Sequence, residues 1–171
     1  FSRLSCHNKV RSKITGATSC SYRLNRQWAE AKRDANYANP KRGEMLMNAV
    51  GIDVSKGKSM VAVMQPLGVV AASPFEVAHT ESELRELAKF LKRLPGETKV
   101  VMEYTGSYYE PIARFLHNEG IYVSVVNAIL IHNYSGNSVR RAKTDKKDSV
   151  RIAQYALDRW LDLREYKPAH Q

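Results

Sequence analysis

The chain has 171 residues and carries 27 Lys+Arg against 17 Asp+Glu, a formal net charge of +10. That length suits one domain with a sizeable core, and the positive balance favours a polyanionic partner, with nucleic acid ahead of an anionic membrane surface. No run approaches the roughly 18 apolar residues of a membrane span and no continuous apolar h-region marks a signal peptide. The cysteines Cys6 and Cys20 supply neither a zinc site nor a disulfide framework, so a reducing, cytoplasmic setting is expected.

The charge is concentrated at the start. Residues 1–44 hold 10 Lys+Arg against 3 Asp+Glu, and they show no sustained apolar periodicity beyond a possible short helix from Gln27 to Asp34. The chain does not begin with Met, whereas Met45 and Met47 stand just before the first convincing strand. Residues 1–44 therefore read as upstream sequence translated in frame, with the natural start at Met45 or Met47. The functional alternative is a disordered basic arm that binds nucleic acid, and charge alone does not separate the two.

From Asn48 the pattern becomes organised. Ala49 to Val54, Ser59 to Met64 and Val69 to Ala72 read as three strands joined by the turns Lys56-Gly57-Lys58 and Pro66-Leu67-Gly68, an antiparallel meander. Thr80 or Ser82 caps a helix whose Leu84, Leu87, Ala88 and Leu91 share one face, and Pro95-Gly96 stops it. A fourth strand, Lys99 to Met102, ends at Glu103. Ser107 to Asn118 is a helix that tolerates Pro111 only in its first turn, and Ile121 to Val126 is a fifth strand. A polar loop then runs from His132 to Lys143. Thr144 caps a last helix, Asp145 to about Leu163, that buries Ile152, Ala153, Ala156, Leu157 and Trp160. The order β-β-β-α-β-α-β-α implies an α/β fold, a mixed five-stranded sheet flanked by helices, of the ribonuclease H-like type.

Four acids stand at notable places: Asp53 after strand one, Glu103 after strand four, and Asp145 and Asp148 three residues apart at the start of the last helix, hence on one face. In a ribonuclease H-like sheet strands one and four are neighbours and the last helix crosses near their ends, so the four carboxylates can converge. Grouped carboxylates repel unless cations neutralise them. Mg²⁺, or Mn²⁺ in its place, takes such hard oxygen ligands together with a substrate phosphate, and a metal pair serves phosphodiester chemistry. Taken singly, each acid has an ordinary explanation as a turn residue or a helix-dipole partner; it is the ordered set that points to a metal site. Arg140, Arg141, Lys143, Lys146 and Lys147 are candidates for phosphate contact or simply a solvated run. Tyr104, Tyr108 and Tyr109 cluster near Glu103, where core packing is the expected role and base stacking the alternative.

GIDVSK, MEYTGSYYEPIARFL and RRAKTDKKDSVRIAQ together resemble the N-terminal, RuvC-like DEDD domain of the IS one-ten family of insertion-sequence transposases. The likeness covers about Asn48 to Leu163, giving a domain of residues 45–163 followed by the start of a linker at 164–171. The resemblance implies a DNA recombinase that uses Mg²⁺ at Asp53, Glu103, Asp145 and Asp148, binds DNA and a structured guide RNA, and works as a homo-oligomer. It also implies a second, C-terminal domain with a serine thought to attack DNA. The chain ends at Gln171 before that domain, so the expectation is a partial transposase unable to complete strand exchange alone. Two alternatives remain: a non-catalytic nucleic-acid-binding remnant, and a fragment of an actin-like sugar kinase, whose phosphate-binding hairpin GIDVSKGKS also resembles.

Overall fold

Val50, Ile52 and Val54 alternate with Ala49, Gly51 and Asp53, and a strand sends the two sets to opposite faces of its sheet. In the computed structural model, which describes residues 46–104, 106–134 and 145–168, this run is β1 (Met47–Ser55). It pairs antiparallel with β2 (Lys58–Gln65), which pairs antiparallel with β3 (Val69–Ala78). The helix α1 (Glu81–Lys92) follows; the Thr80 hydroxyl accepts a hydrogen bond from the Glu83 amide, and Leu84, Leu87, Ala88, Phe90 and Leu91 are buried. β4 (Glu97–Tyr104) then lies parallel to β1 on its other side. The helix α2 (Tyr109–Asn118) buries Ile112, Ala113 and Leu116, with Pro111 in its first turn. β5 (Tyr122–Asn127) pairs parallel with β4, and α3 (Ala128–Tyr134) and α4 (Asp145–Asp158) complete the described elements. The strand order β3-β2-β1-β4-β5 makes the sheet mixed, as the sequence pattern implies.

Two apolar layers sandwich the sheet. Val50, Ile52, Val54, Val100 and Met102 pack with the apolar faces of α1 and α2. On the other side Ala49, Val101 and Val126 pack with Ile131 of α3 and with Ile152, Ala156 and Trp160. α4 lies across β1 and β2 at a separation set by Gly51. A Cβ there would stand 2.1 Å from the Ser149 carbonyl oxygen and 2.4 Å from the Ala153 amide nitrogen. Only a residue without a side chain lets helix backbone rest directly on the strand.

Several boundaries differ from the sequence expectations. β3 runs on to Ala78 through Pro74, which an edge strand tolerates because its outer N–H groups need no partner strand. No loop starts at His132, because α3 occupies Ala128–Tyr134; the remainder of the expected loop, residues 135–143, lies outside the described residues. The start of α3 is signalled by Asn127, whose side-chain oxygen accepts a hydrogen bond from the Ile129 amide at 2.9 Å, and by Ile131, which is 3% exposed against α4. α2 starts two residues after Ser107, and α4 ends at Asp158 rather than Leu163, with Leu157 only half-buried. Beyond α4 the chain returns to the sheet edge. The Tyr122 hydroxyl donates to the Leu163 carbonyl at 2.9 Å, and the Tyr166 amide donates to the Val123 carbonyl at 2.7 Å.

The β1–β2 hairpin is pinned at its tip by His79, whose amide donates to the Gly57 carbonyl at 3.0 Å and whose Nε2 lies 2.8 Å from the Ser59 hydroxyl. Burial pushes the His79 imidazole below its ordinary value of 6.5. The unfolded chain therefore takes up this proton more readily than the folded one. Stability from this group is complete above its ordinary value and is lost as pH falls toward the folded value. Urea midpoints at about pH 7.5 and about pH 5.5 should show a smaller acid loss in His79→Gln than in the parent. Gly51→Ala should cost about 1–3 kcal/mol, the range for overpacking, read as a lower urea midpoint at unchanged slope.

Candidate functional site

Parallel pairing of β1 and β4 runs in register from Met47 opposite Glu97 to Ile52 opposite Met102. One step further along each strand come Asp53 and Glu103. Both belong to the alternation set of Ala49 and Val101, which faces α4, and both are half-buried. The sheet thus delivers two carboxylates side by side on one face at the ends of its central strands, as the sequence order allows.

The start of α4 supplies the other two. Asp145 is its first residue and is exposed, while Asp148, one turn on, is 7% exposed. Neighbouring Ser149 is fully buried with its carbonyl over Gly51, so Asp148 is enclosed where helix meets sheet. Both Asp148 carboxylate oxygens are buried without a hydrogen bond. The Arg151 guanidinium lies 3.3 Å from Oδ1, an ion pair by distance that lacks hydrogen-bond alignment. Asp145 sits toward the tip of the β1–β2 hairpin. Lys58 there is hydrogen-bonded to Glu76 at 2.7 Å; that bond and the Glu76 charge hold its ammonium pKa above the ordinary range, with a smaller contribution from Asp145.

Asp53 and Glu103 thus lie at one end of the sheet, and the first turn of α4, with Asp145 and Asp148, starts toward that same end. Among the described residues no three His, Cys, Asp or Glu side chains stand as a group that could hold a metal ion. The donor chemistry nevertheless fits a hard divalent cation, and Asp148 carries the fit. A buried carboxylate with no hydrogen bond, paired with a guanidinium that is not aligned for one, is incompletely compensated, and a bound cation would compensate it further.

Of the candidate phosphate contacts, Lys146 and Lys147 are exposed on the first turn of α4, whereas Arg140, Arg141 and Lys143 lie outside the described residues. The sequence reading missed Lys56 and Lys58, which are exposed on the hairpin at the same end of the sheet; two lysines in a tight turn between strands are the signal. The tyrosines divide. Tyr109 packs on the core, but Tyr104 is 55% and Tyr108 49% exposed, so core packing, the expected role, holds for Tyr109 alone.

A family model for the DEDD transposases of the IS one-ten type, described as a transposase, matches residues 50–171. The pilin gene-inverting proteins of Moraxella lacunata and Moraxella bovis are each 38% identical to this chain over 56 residues. That stretch spans 33% of this chain and only 17% of those relatives. Among solved structures, RuvC of T. thermophilus in complex with a Holliday junction substrate superposes with a TM-score of 0.53 at 11% identity. The superposition covers 72% of this chain and 100% of that one and shows a shared RuvC-like, ribonuclease H-like fold. No helix of the described residues is long and apolar enough to cross a membrane.

Asp148→Asn removes a buried charge that lacks hydrogen bonds. In an Arg151→Met background, where the ion pair is absent, it should raise metal-free stability by about 1 kcal/mol, as relief of a strained functional site commonly does, measured by urea unfolding in chelator.

Proposed function

This chain belongs to the transposase family of the IS one-ten insertion sequences, and we propose that its RuvC-like domain performs divalent-metal-dependent phosphodiester chemistry in DNA recombination. The observation that carries the reading is the buried, hydrogen-bond-free carboxylate of Asp148 beside the sheet end where Asp53 and Glu103 are adjacent. In this reading residues 45–163 are the functional module. Asp53 and Glu103 hold one side of the site from rigid strands, and Asp148 and Asp145 close it from the first turn of α4. Mg²⁺, or Mn²⁺ in its place, supplies Lewis-acid polarisation of a phosphodiester when bound.

The chain's own residues position the strand. Lys146 and Lys147, with Arg140, Arg141 and Lys143 of the preceding sequence, neutralise phosphates and fix the backbone without reading sequence. The partners in this reading are DNA and a structured guide RNA, engaged by an oligomer of the chain. A second reading, a nucleic-acid-binding module without catalysis, draws on the absence of a ready-made three-acid group among the described residues.

The test uses the full chain with Mg²⁺ or Mn²⁺ and branched DNA. The cation should raise the thermal midpoint, since a ligand at about 100 times its dissociation constant adds about 2.7 kcal/mol, and it should support strand cleavage. Asp53→Ala combined with Asp145→Ala should abolish both effects. Unchanged cation affinity in that double variant overturns the four-carboxylate site. DNA binding that is indifferent to cation and never leads to cleavage supports the second reading.

A further inference from the structure

The turn from β4 to α2 leaves the candidate acids carrying two exposed aromatic rings. Tyr104 directly follows Glu103 and ends β4, so its side chain leaves the sheet on the face opposite the acids. It is 55% exposed, yet it is not loose. Its ring lies 5.2 Å from that of Tyr109, tilted by 51°. Tyr109 stands edge-on to Tyr166 at 6.5 Å, and Tyr166 edge-on to His117 at 6.0 Å. Tyr104 is thus the outer member of an aromatic column whose inner members are packed. Tyr108, 49% exposed, closes the same turn just before α2. Between them Gly106 has a φ of +61°, and a Cβ there would meet nothing within 4 Å. Gly106 is open to solvent, and a flat ligand can approach there.

Single exposed apolar residues are ordinary. Two aromatic rings around one open turn, the first buttressed by packed rings and both within five residues of a candidate catalytic acid, call for a planar ligand. The charge at the same end of the sheet indicates which kind of ligand would reach both the acids and this turn. Lys56 and Lys58 on the hairpin and Lys146 and Lys147 on α4 are exposed at this end of the sheet, and they complement a polyanion.

We infer that Tyr104 and Tyr108 form a stacking shelf for an unpaired base of the strand whose phosphate lies at the acids. The inference rests on the proposed function for the identity of its ligand. Stacking on such rings is sequence-tolerant, because every base presents a π-face, and it selects single-stranded or distorted DNA over regular duplex. The phenol hydroxyls are not needed for stacking, so phenylalanine replaces tyrosine and leucine does not.

The probe is a single-stranded oligonucleotide carrying 2-aminopurine, whose emission is quenched on stacking, titrated with the full chain in EDTA. Tyr104→Leu with Tyr108→Leu should weaken binding by roughly tenfold or more and abolish the quenching. Tyr104→Phe with Tyr108→Phe should retain both, and an abasic strand should bind parent and leucine variant alike. Quenching and affinity unchanged in the leucine variant overturn the shelf, and so does an equal loss on single-stranded and duplex DNA. If the double leucine variant fails to fold, Tyr108→Leu alone is read by the same criteria. Because no divalent cation is present, the result does not depend on the four acids. Loss of cation-dependent cleavage would leave the shelf standing, and loss of stacking would leave the metal site untouched.

Discussion

The close approach of α4 to β1 at Gly51 governs the rest of the structure. With the Ser149 carbonyl and the Ala153 amide lying where a Cβ would be, the helix cannot slide or rotate without losing its seat on the strand. That contact fixes the height of α4 above the sheet and the angular position of its first turn. Asp148 is buried because Ser149 is pressed onto the strand. Asp145, three residues earlier, then falls toward the hairpin that carries Lys58. A residue with no side chain thus sets where two carboxylates go.

The two halves of the proposed site obey different physics. Asp53 and Glu103 are placed by strand periodicity and by the parallel register of β1 with β4, a consequence of backbone hydrogen bonding that side chains hardly perturb. Asp148 is placed by packing, its oxygens buried without a hydrogen bond and paired with Arg151 by distance alone. Functional sites often break the local rules of polar burial, and the surrounding fold sustains them. Here the support comes from Ile152, Ala153 and Ala156, buried on the same helix, which hold α4 down regardless of the charge at its start.

Much of this was legible in the residues. Five strands, the helix faces and the pairing of strands one and four follow from alternation, capping and turn chemistry. The four acids could be singled out because each sits at an element boundary in an order that one fold type brings together. What escaped has physical causes. α3 was read through because its cap, Asn127, directly ends a strand, and the apolar run behind it carries no helical period over so few residues. β3 runs beyond Ala72 because an edge strand tolerates Pro74, and nothing local in the sequence says that this strand is an edge. The three tyrosines read alike in the sequence because a strand–helix junction gives no sign of which rings stay exposed. The seating role of Gly51 was also hidden, since no local pattern announces that a helix about a hundred residues later will land on it.

The returning segment after α4 has a consequence for how the molecule behaves in a crowd. An open sheet has two margins, and each is a row of unsatisfied amides and carbonyls on which another chain can grow. At β3 the margin is interrupted by Pro74, which offers no donor. At β5 the Tyr166 amide occupies the Val123 carbonyl, and the Tyr122 hydroxyl ties down Leu163. A proline interrupts one margin and the segment after α4 covers part of the other, so both margins of the sheet are poor templates for strand addition.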